Sequence, residues 1–307
     1  MTSRCTRIVA SLVLVVAFLA CRDKRRDAAD SARVSLAPVF PAGPSSNTNW
    51  DLDAGPVMVV SAGGSDDSAA IVLPEATDST MTAGENFDPQ LSDFAVDLFN
   101  RDGKIGAATV VSPLPRTDVG GGCPVWPAAK LQSPASGWRV GFASGHVAGI
   151  KLLPIETMSS TDSAALAVAL AQSAATLPFV TDPTFRGLPF RVRSAYTFQT
   201  DSFKSVIADV VRSVNEEATP RLERLLLIGE RQAGTQGRYR IAYYSRTAGA
   251  EETTQATEVL AVVTIGSPGR LAAVLNLEYD EGGKLGLLER TAGGQWRMRW
   301  RSAYTGC

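Results

Sequence analysis

The sequence has few of the residues on which metal sites and nucleophilic catalysis usually depend. His146 is the only histidine among 307 residues, and there are only four cysteines. One histidine cannot assemble the ligand sets typical of zinc sites, and any Ser-His-Asp arrangement would have to use it. Acidic and basic residues nearly cancel, at a formal net charge of −1, so bulk charge indicates no nucleic-acid partner. We predict no metal, no cofactor and no binding of nucleic acid.

Short motifs for phosphate and calcium binding are also missing. No glycine-rich loop has Walker or dinucleotide spacing, because Gly120–Gly122 lead into a Cys-Pro pair and not into a helix start. Asn100–Gly103 resembles the start of a calcium loop, but Leu98 and Thr109 stand where such a loop needs acids. We expect a plain Asp-Gly turn there.

The apolar run at the N-terminus is too short to cross a membrane as a helix. The run covers thirteen residues, Ile8–Ala20, which are apolar except for Ser11, and it follows Arg4 and Arg7, whereas a hydrocarbon core of about 30 Å needs about 20 residues. A positive start followed by an apolar stretch of this length is typical of a secretory signal peptide.

The residues that close this stretch, Phe18–Cys21, resemble a bacterial lipobox, with Phe18 where an aliphatic residue is usual. The resemblance implies that residues 1–20 are a signal peptide and that Cys21 carries lipid as the mature N-terminus. The body would then stand in the periplasm or at the cell exterior. Acyl chains contribute ~0.8 kcal/mol per buried CH₂, and the basic residues of 22–26 would favour anionic headgroups. An ordinary cleaved signal or a short anchor is the alternative, and either would still export the chain.

Residues 21–85 are predicted to form an acidic, low-complexity tether. The stretch is rich in Ala, Ser, Pro, Gly, Asn and Asp, and it has little periodicity apart from a short apolar run at 57–60 that could add an edge strand. Residues 27–99 carry twelve acids and one base, which favours a solvated spacer that repels itself. The globular domain is predicted at 86–307, with a candidate internal boundary near 200.

The four cysteines have different expected fates. Cys5 leaves with the signal peptide and Cys21 takes the lipid, which leaves Cys123 and Cys307. In an oxidising compartment the simplest assignment is a disulfide between these two, worth ~4–5 kcal/mol by the loop-entropy estimate. The rival interpretation makes Cys123 a nucleophile, which would need His146 as its base.

Helical spacing of apolar residues predicts two helices. An N-terminal helix is expected over 90–100, with Gly103 as a stop signal. The clearer helix is expected over 159–177, because capping residues stand at its start, leucines form an apolar stripe and Pro178 follows its end.

The rest of the domain is predicted to consist of short strands separated by Gly, Pro and acidic turns. A hairpin is expected over 138–153, turning at Ser144-Gly145. The other predicted strands are 104–112, 188–198, 205–214, 222–231, 238–246, 259–265, 271–279, 284–289 and 296–303. This pattern predicts an α+β fold that is mainly antiparallel β, with a curled or two-layer sheet of about eight or more strands.

Arginine alternates with apolar residues along three of these strands. Trp296, Met298 and Trp300 are expected to face the core, which would turn the arginines between them outward. Neighbouring strands would then present an anion-binding face for an envelope polymer, lipid headgroups, the acidic tether or a protein partner. Its members would be Arg191, Arg193, Arg238, Arg240, Arg297, Arg299 and Arg301. The alternative is a solvated sheet face on which acids such as Glu230 and Glu289 pair with the arginines.

These features favour a non-enzymatic binding or scaffold domain of an envelope lipoprotein, and no motif identifies a catalytic residue. The alternative is an extracytoplasmic hydrolase that uses a carboxylate pair or Cys123 with His146. Ser144 lies two residues from His146, but the Gly-x-Ser-x-Gly elbow of many hydrolases is absent. Carboxylates that meet in space cannot be found from spacing along the chain, so a cleft with convergent carboxylates would favour the hydrolase.

Overall fold

The computed structural model describes residues 58–62, 65–72, 94–113, 126, 128–178, 182–214, 220–235, 238–279 and 282–306. Within these residues the strands are β1 Met58–Ser61, β2 Ser68–Val72, β3 Phe94–Asn100, β4 Gly103–Pro113, β5 Ala128–Gln132, β6 Val140–Ala143, β7 Val147–Ile150, β8 Leu153–Pro154, β9 Arg191–Gln199, β10 Phe203–Val214, β11 Arg221–Gln232, β12 Arg240–Ala250, β13 Ala256–Ile265, β14 Arg270–Tyr279, β15 Gly282–Arg290, β16 Trp296–Arg301 and β17 Thr305–Gly306. The α-helix is α1, Ser160–Thr176, and short 3₁₀ turns cover Ile155–Thr157 and Pro183–Phe185.

The strands form one closed barrel and two open sheets, and every pairing is antiparallel. The barrel closes in the order β1-β2-β5-β4-β3-β6. The central sheet has the order β16-β15-β14-β13-β7, with β17 added beside β15, and the outer sheet has the order β12-β11-β10-β9-β8. Each open sheet is largely a meander of consecutive strands, which short turns can connect.

The central sheet is buried on both faces, which explains its nearly continuous apolar strands. Val263 belongs to a core that also contains Phe142 of the barrel. Its neighbour Val262 points the other way and belongs to a core shared with Ile207 of the outer sheet. Successive side chains of a strand alternate between faces, so a strand covered on both sides needs apolar residues at consecutive positions.

Two further cores complete a layered arrangement. Helix α1 covers the other face of the outer sheet, where Leu170 and Ala174 share a core with Val206 and Leu227. The barrel has an interior of its own, filled by residues that include Trp138. The layers therefore follow one another as barrel, central sheet, outer sheet and helix.

The predicted fold class is confirmed: the described chain is mainly antiparallel β with one α-helix. The predicted strands from 188 onward correspond to β9–β16 with shifts of a few residues at their ends. Helix α1 begins after Ser159, whose side chain accepts a hydrogen bond from the amide of Asp162 at 3.2 Å, and it ends before Pro178.

The helix predicted over 90–100 is wrong where the structure describes it, because Phe94–Asn100 is strand β3. Its neighbours β4 and β6 hydrogen-bond to it on both sides, which closes the barrel. Apolar residues four positions apart, such as Phe94 and Leu98, fit one face of a strand as well as one face of a helix. Val96, midway between them, is buried in the barrel interior and fits only the strand.

The hairpin predicted over 138–153 is also wrong, although both of its strands exist. β6 pairs with β1 and β3 in the barrel, whereas β7 pairs with β13 in the central sheet. The turn at Ser144-Gly145 is therefore the passage from one sheet to the other. The carboxylate of Asp97 on β3 accepts bonds from both turn residues and holds this end of β6 against β3.

Folded structure begins earlier than position 86. β1 and β2 lie inside the range predicted as a tether, and Val59 and Ile71 are fully buried in the barrel. The run at 57–60 does not form an edge strand, because β1 pairs with β2 on one side and β6 on the other. The candidate boundary near 200 falls in the turn between the paired strands β9 and β10, so the outer sheet is continuous there.

Candidate functional site

A groove of about 460 Å³ lies between the barrel and the central sheet. This volume falls within the range of about 300–1,000 Å³ that is usual for small-molecule sites. The barrel side contributes Val60, Ser61, Ala62, Ala70 and Arg139, and Trp126 lies between strands β4 and β5 in the chain. The sheet side contributes Glu258, Leu260, Asn276, Glu278, Gly282, Gly283, Leu285, Thr305 and Gly306.

Arg139 stands at the rim of the barrel with a fixed backbone and an exposed side chain. Its amide donates to the carbonyl of Phe99 at 2.9 Å, and its carbonyl accepts from the amide of Ser61 at 3.1 Å. Among the ion pairs of the described residues, none involves the Arg139 guanidinium. Arg139 therefore presents five N–H donors that a ligand could use.

The opposite wall places three polar side chains on one face of the central sheet. Glu258 of β13 is the cross-strand partner of Asn276 on β14, and Glu278 follows Asn276 by two residues. Residues two apart on a strand share a face, so all three point towards the barrel. The Asn276 amide donates to Glu278 Oε1 at 2.9 Å, which leaves the other oxygen of Glu278 for a ligand.

Arg101 links this wall to the other layers. It lies in the turn between β3 and β4, and its Nη2 is 2.5 Å from Glu258 Oε1 while its Nε donates to the carbonyl of Val259 at 2.8 Å. Its guanidinium also lies 5.0 Å from the ring centre of Tyr196 in the outer sheet. Arg101 thereby neutralises Glu258 and ties the barrel to both open sheets.

The turn that carries Arg101 is the plain Asp-Gly turn expected from the sequence. Asn100 Oδ1 accepts from the amide of Asp102 at 2.7 Å, and Gly103 has φ +102°, a conformation that glycine adopts without strain. Sequence reasoning identified the turn but missed Arg101, because its partners are more than 90 positions away.

The indole of Trp126 is held in place at the groove. Its Nε1 donates to the carbonyl of Ala303 at 3.0 Å. Close by, β17 passes so near Gly282 that a Cβ there would collide with the carbonyl of Thr305. Only glycine allows the last described strand to close this end of the groove.

The groove has an apolar floor and balanced charge. Leu260 and Leu285 are buried in the core between barrel and central sheet. Around them stand the cations Arg139 and Arg101 and the anions Glu258 and Glu278, so the charged groups in and beside the groove cancel. Such a site can both donate and accept hydrogen bonds without selecting strongly for one sign of charge.

Several predicted site residues lie outside the described residues. These are Cys21, Cys123 and Cys307, so the lipid attachment and the disulfide stay predictions. His146 is described and is exposed.

The hydroxyl of Ser144 donates to Asp97 Oδ1 at 3.1 Å, not to His146. Asp97 is 4% exposed, and it also accepts from the Gly145 amide at 2.9 Å and pairs with Lys104 at 2.9 Å. Burial alone would raise the pKa of Asp97, but the bonds from Gly145, Lys104 and Ser144 outweigh it and hold this pKa below its usual value. The cluster orients a turn, and His146 does not act as the hydrogen-bond partner of Ser144 in it.

The predicted arginine face is distributed over separate places. Arg191 and Arg193 are on β9 and Arg240 is on β12, with β10 and β11 between them, a separation of ~14 Å at the usual strand spacing. Arg238 precedes β12, and the remaining three belong to β16 of the central sheet. Arg193 lies near Asp209, a buried carboxyl whose pKa burial raises to about 6 while the charge of Arg193 opposes the rise.

Alternation along β16 is interrupted by a bulge. Leu288 pairs with Met298 and Leu287 pairs with Trp300, so Arg299 is left without a cross-strand partner. Met298 packs towards the outer sheet, whereas Trp300 packs towards the barrel. The three tryptophan and methionine side chains therefore do not share a face, and the arginines between them do not either. The sequence does not reveal this bulge, because arginine and apolar residues continue to alternate through it without interruption.

Two arginines of the set make the acidic contacts that the alternative interpretation expected. Arg240 Nη2 is 4.0 Å from Glu230, and Arg299 Nε is 3.5 Å from Glu289. Arg240 also donates to the carbonyl of Gly294 at 2.6 Å. Whether any arginine of the set binds an anion stays a prediction.

Sequence reasoning missed two buried ionic clusters that hold the sheets. Glu230 of the outer sheet accepts two bonds from Arg290 of the central sheet, at 2.8 and 2.9 Å, and one from Trp296 Nε1 at 2.6 Å. On the helix side of the outer sheet, Glu223 is fully buried between Arg212 at 2.6 Å and Arg246 at 2.5 Å. A charged residue inside an apolar strand was the available signal, because burial requires a partner.

The described residues contain neither a cluster of metal ligands nor a membrane-spanning helix. No group of three or more His, Cys, Asp or Glu side chains there could hold a metal ion. No helix among the described residues is long and apolar enough to cross a membrane. Comparison of the chain with protein-family models, curated proteins and solved structures gives no match.

Proposed function

We propose that this protein is an exported, lipid-anchored binding protein whose ligand site is the groove between the barrel and the central sheet. The observation that carries the proposal is the set of polar groups converging on that groove, with Arg139 on one wall, outside every ion pair of the described residues, and Glu278 exposed on the other. A small polar ligand would satisfy these groups while covering Trp126 and Leu260.

The state of the two glutamates favours binding over hydrolysis. Hydrolysis of a glycosidic bond needs one carboxyl that is protonated, and enzymes keep such a group in a buried apolar setting. Glu258 is paired with Arg101, and Glu278 is exposed to solvent. Neither glutamate has the buried apolar setting of such an acid, so the pair suits the recognition of a ligand better than the transfer of a proton.

Export and anchoring rest on the sequence features at the N-terminus. The lipobox resemblance at Phe18–Cys21 would place the body outside the cytoplasm, and the acidic residues before β1 would keep it at a distance from an anionic membrane. The exposed arginines of the body stay candidates for contact with an anionic envelope component. We do not propose a continuous arginine face as the ligand site.

Intact mass of the mature protein from a membrane fraction tests the anchor. We expect a mass that begins at Cys21 and includes acyl chains, and a shift of two hydrogens on reduction if Cys123 and Cys307 are joined. A soluble product that retains Met1 would contradict the proposed anchoring.

A groove-blocking variant tests the ligand site. Ala62 is exposed and lines the groove, so Ala62→Trp should fill it without disturbing a core. Native mass spectrometry of the full chain in detergent, mixed with a small-molecule extract of the cell envelope, should show a bound species with the original protein. We expect at least tenfold less of that species with Ala62→Trp, and no change with the matched control Ala165→Trp on the exposed face of α1. Equal retention by all three proteins would contradict the proposal.

A further inference from the structure

The positive charge of Arg139 and the negative charge of Glu278 lie on opposite walls of the groove. This arrangement favours ligands that carry both a negative and a positive group. Building on the proposed function, we infer that the groove binds a zwitterion of peptide type, a free amino acid or an unblocked short peptide. The carboxylate of the ligand meets Arg139 and its ammonium group meets Glu278.

On the barrel wall, Arg139 is suited to a carboxylate. Its backbone is fixed by the bonds to Phe99 and Ser61, whereas its exposed side chain has no ion pair among the described residues. A planar guanidinium can bind a carboxylate through two parallel hydrogen bonds, which gives geometric specificity as well as energy.

On the sheet wall, Glu278 is the negative charge that is left for a ligand. Glu258 already faces Arg101 at 2.5 Å, so its charge is compensated inside the protein. Among the described residues, the polar contact of the Glu278 carboxylate is with the neutral amide of Asn276 at 2.9 Å, so its charge is not compensated in the same way. Arg139 and Glu278 line the same groove without forming an ion pair with each other, which leaves room for a ligand between two opposite charges.

Between the two charges the groove offers apolar contact. Trp126, Leu260, Leu285 and Val60 line it, and the indole of Trp126 is fixed by its bond to Ala303. A side chain of an amino acid or peptide would cover this surface, and burial of apolar area would add affinity at about 25 cal/mol per Å² before the costs of association.

Other ligand classes fit these observations less well. A polyanion would be attracted by Arg139 but repelled by the carboxylate of Glu278. An amine without a carboxylate would pair with Glu278 and leave Arg139 without a partner in the ligand. A neutral glycan could use both side chains as hydrogen-bond partners, but its affinity would not depend on their opposite signs.

Dipeptide libraries separate these ligands. The full mature chain in detergent is mixed with an equimolar library of unblocked dipeptides, and in a parallel sample with the same library N-acetylated and C-amidated. Native mass spectrometry then measures the retained fraction. We expect retention of unblocked dipeptides and at least tenfold less of the blocked ones.

Charge variants test the assigned groups. We expect Arg139→Gln and Glu278→Gln each to reduce retention at least tenfold, whereas the exposed controls Arg297→Gln and Glu156→Gln should leave it unchanged. The single reversal Arg139→Glu should abolish retention, and addition of Glu278→Arg should restore part of it, because a zwitterion can turn round. Circular dichroism would identify a variant that fails to fold. In that case the double variant, Arg139→Glu with Glu278→Arg, is compared with the original protein instead.

The outcomes distinguish this inference from the proposed function. Equal retention of blocked and unblocked dipeptides would overturn the zwitterion and leave the groove as a binding site. The inference also fails, and the binding site stays, if no dipeptide is retained while an envelope compound that is neither an amino acid nor a peptide is retained by the original protein and lost in Ala62→Trp. If neither dipeptides nor envelope compounds are retained, both the inference and the proposed function fail.

Discussion

Single buried carboxylates account for much of the local order in this protein. Asp97 orients the Ser144-Gly145 turn, Glu223 joins β10, β11 and β12, and Glu230 joins the outer sheet to the central sheet. Each is surrounded by several donors, because a buried charge is tolerated only when it is paired and hydrogen-bonded. Stability should therefore depend on these buried contacts.

The pH dependence of unfolding should include a contribution from Asp97. Its folded pKa is lower than its unfolded pKa, so its stabilising contribution is present above pH 3.8 and is lost as the pH falls through the folded value. We expect Asp97→Asn to lower the free energy of unfolding by about 2 kcal/mol at pH 7 and by less at pH 3. Urea unfolding at both pH values measures this, and an equal loss at pH 3 and pH 7 would contradict it.

Removal of the charge of Glu223 should be more damaging. Glu223→Gln leaves Arg212 and Arg246 without their counter-ion inside the protein, a change that typically costs about 3–5 kcal/mol. Urea unfolding against the exposed control Glu156→Gln provides the comparison. A decrease in the free energy of unfolding of less than about 1 kcal/mol would mean that Glu223 and its two arginines are not buried as described.

The secondary-structure elements show what the sequence could and could not predict. Strands β9–β16 were predictable because Val, Ile, Leu and aromatic runs end at glycine-rich or acidic turns. Pairing partners were not predictable, since β6 and β7 have the residues of a hairpin and yet join different sheets. The groove was also beyond prediction, because Arg139 and Glu278 are 139 positions apart and line the same groove only because the barrel is layered on the central sheet.

At the level of one element, the N-cap of α1 gives a direct test. The Ser159 side chain accepts from the Asp162 amide at 3.2 Å and donates to its carboxylate at 2.7 Å. We expect Ser159→Ala to destabilise the protein by about 1 kcal/mol, while Ser163→Ala inside the helix should have a smaller effect. Thermal unfolding followed by circular dichroism compares the two variants, and an equal effect of both would speak against the cap.

The whole molecule combines a barrel, two sheets and a helix in layers, and the groove exists only where the first two layers meet. Arg101 maintains this junction by contacting Glu258, Val259 and Tyr196. We expect Arg101→Ala to weaken ligand retention at least tenfold while leaving the far-ultraviolet spectrum of the strands unchanged. If Arg101→Ala retained as much ligand as the original protein, the junction would not depend on Arg101.

Carboxyl footprinting of the full mature chain tests most directly whether the groove is the ligand site. A carbodiimide with an amine label modifies exposed carboxylates, and mass spectrometry of peptides measures the rate at each position. On addition of the envelope extract, we expect labelling of Glu278 to slow severalfold while that of the distant, exposed Glu156 is unchanged. An identical Glu278 rate with and without the extract, measured while native mass spectrometry detects a bound compound, would place the ligand elsewhere and contradict our assignment.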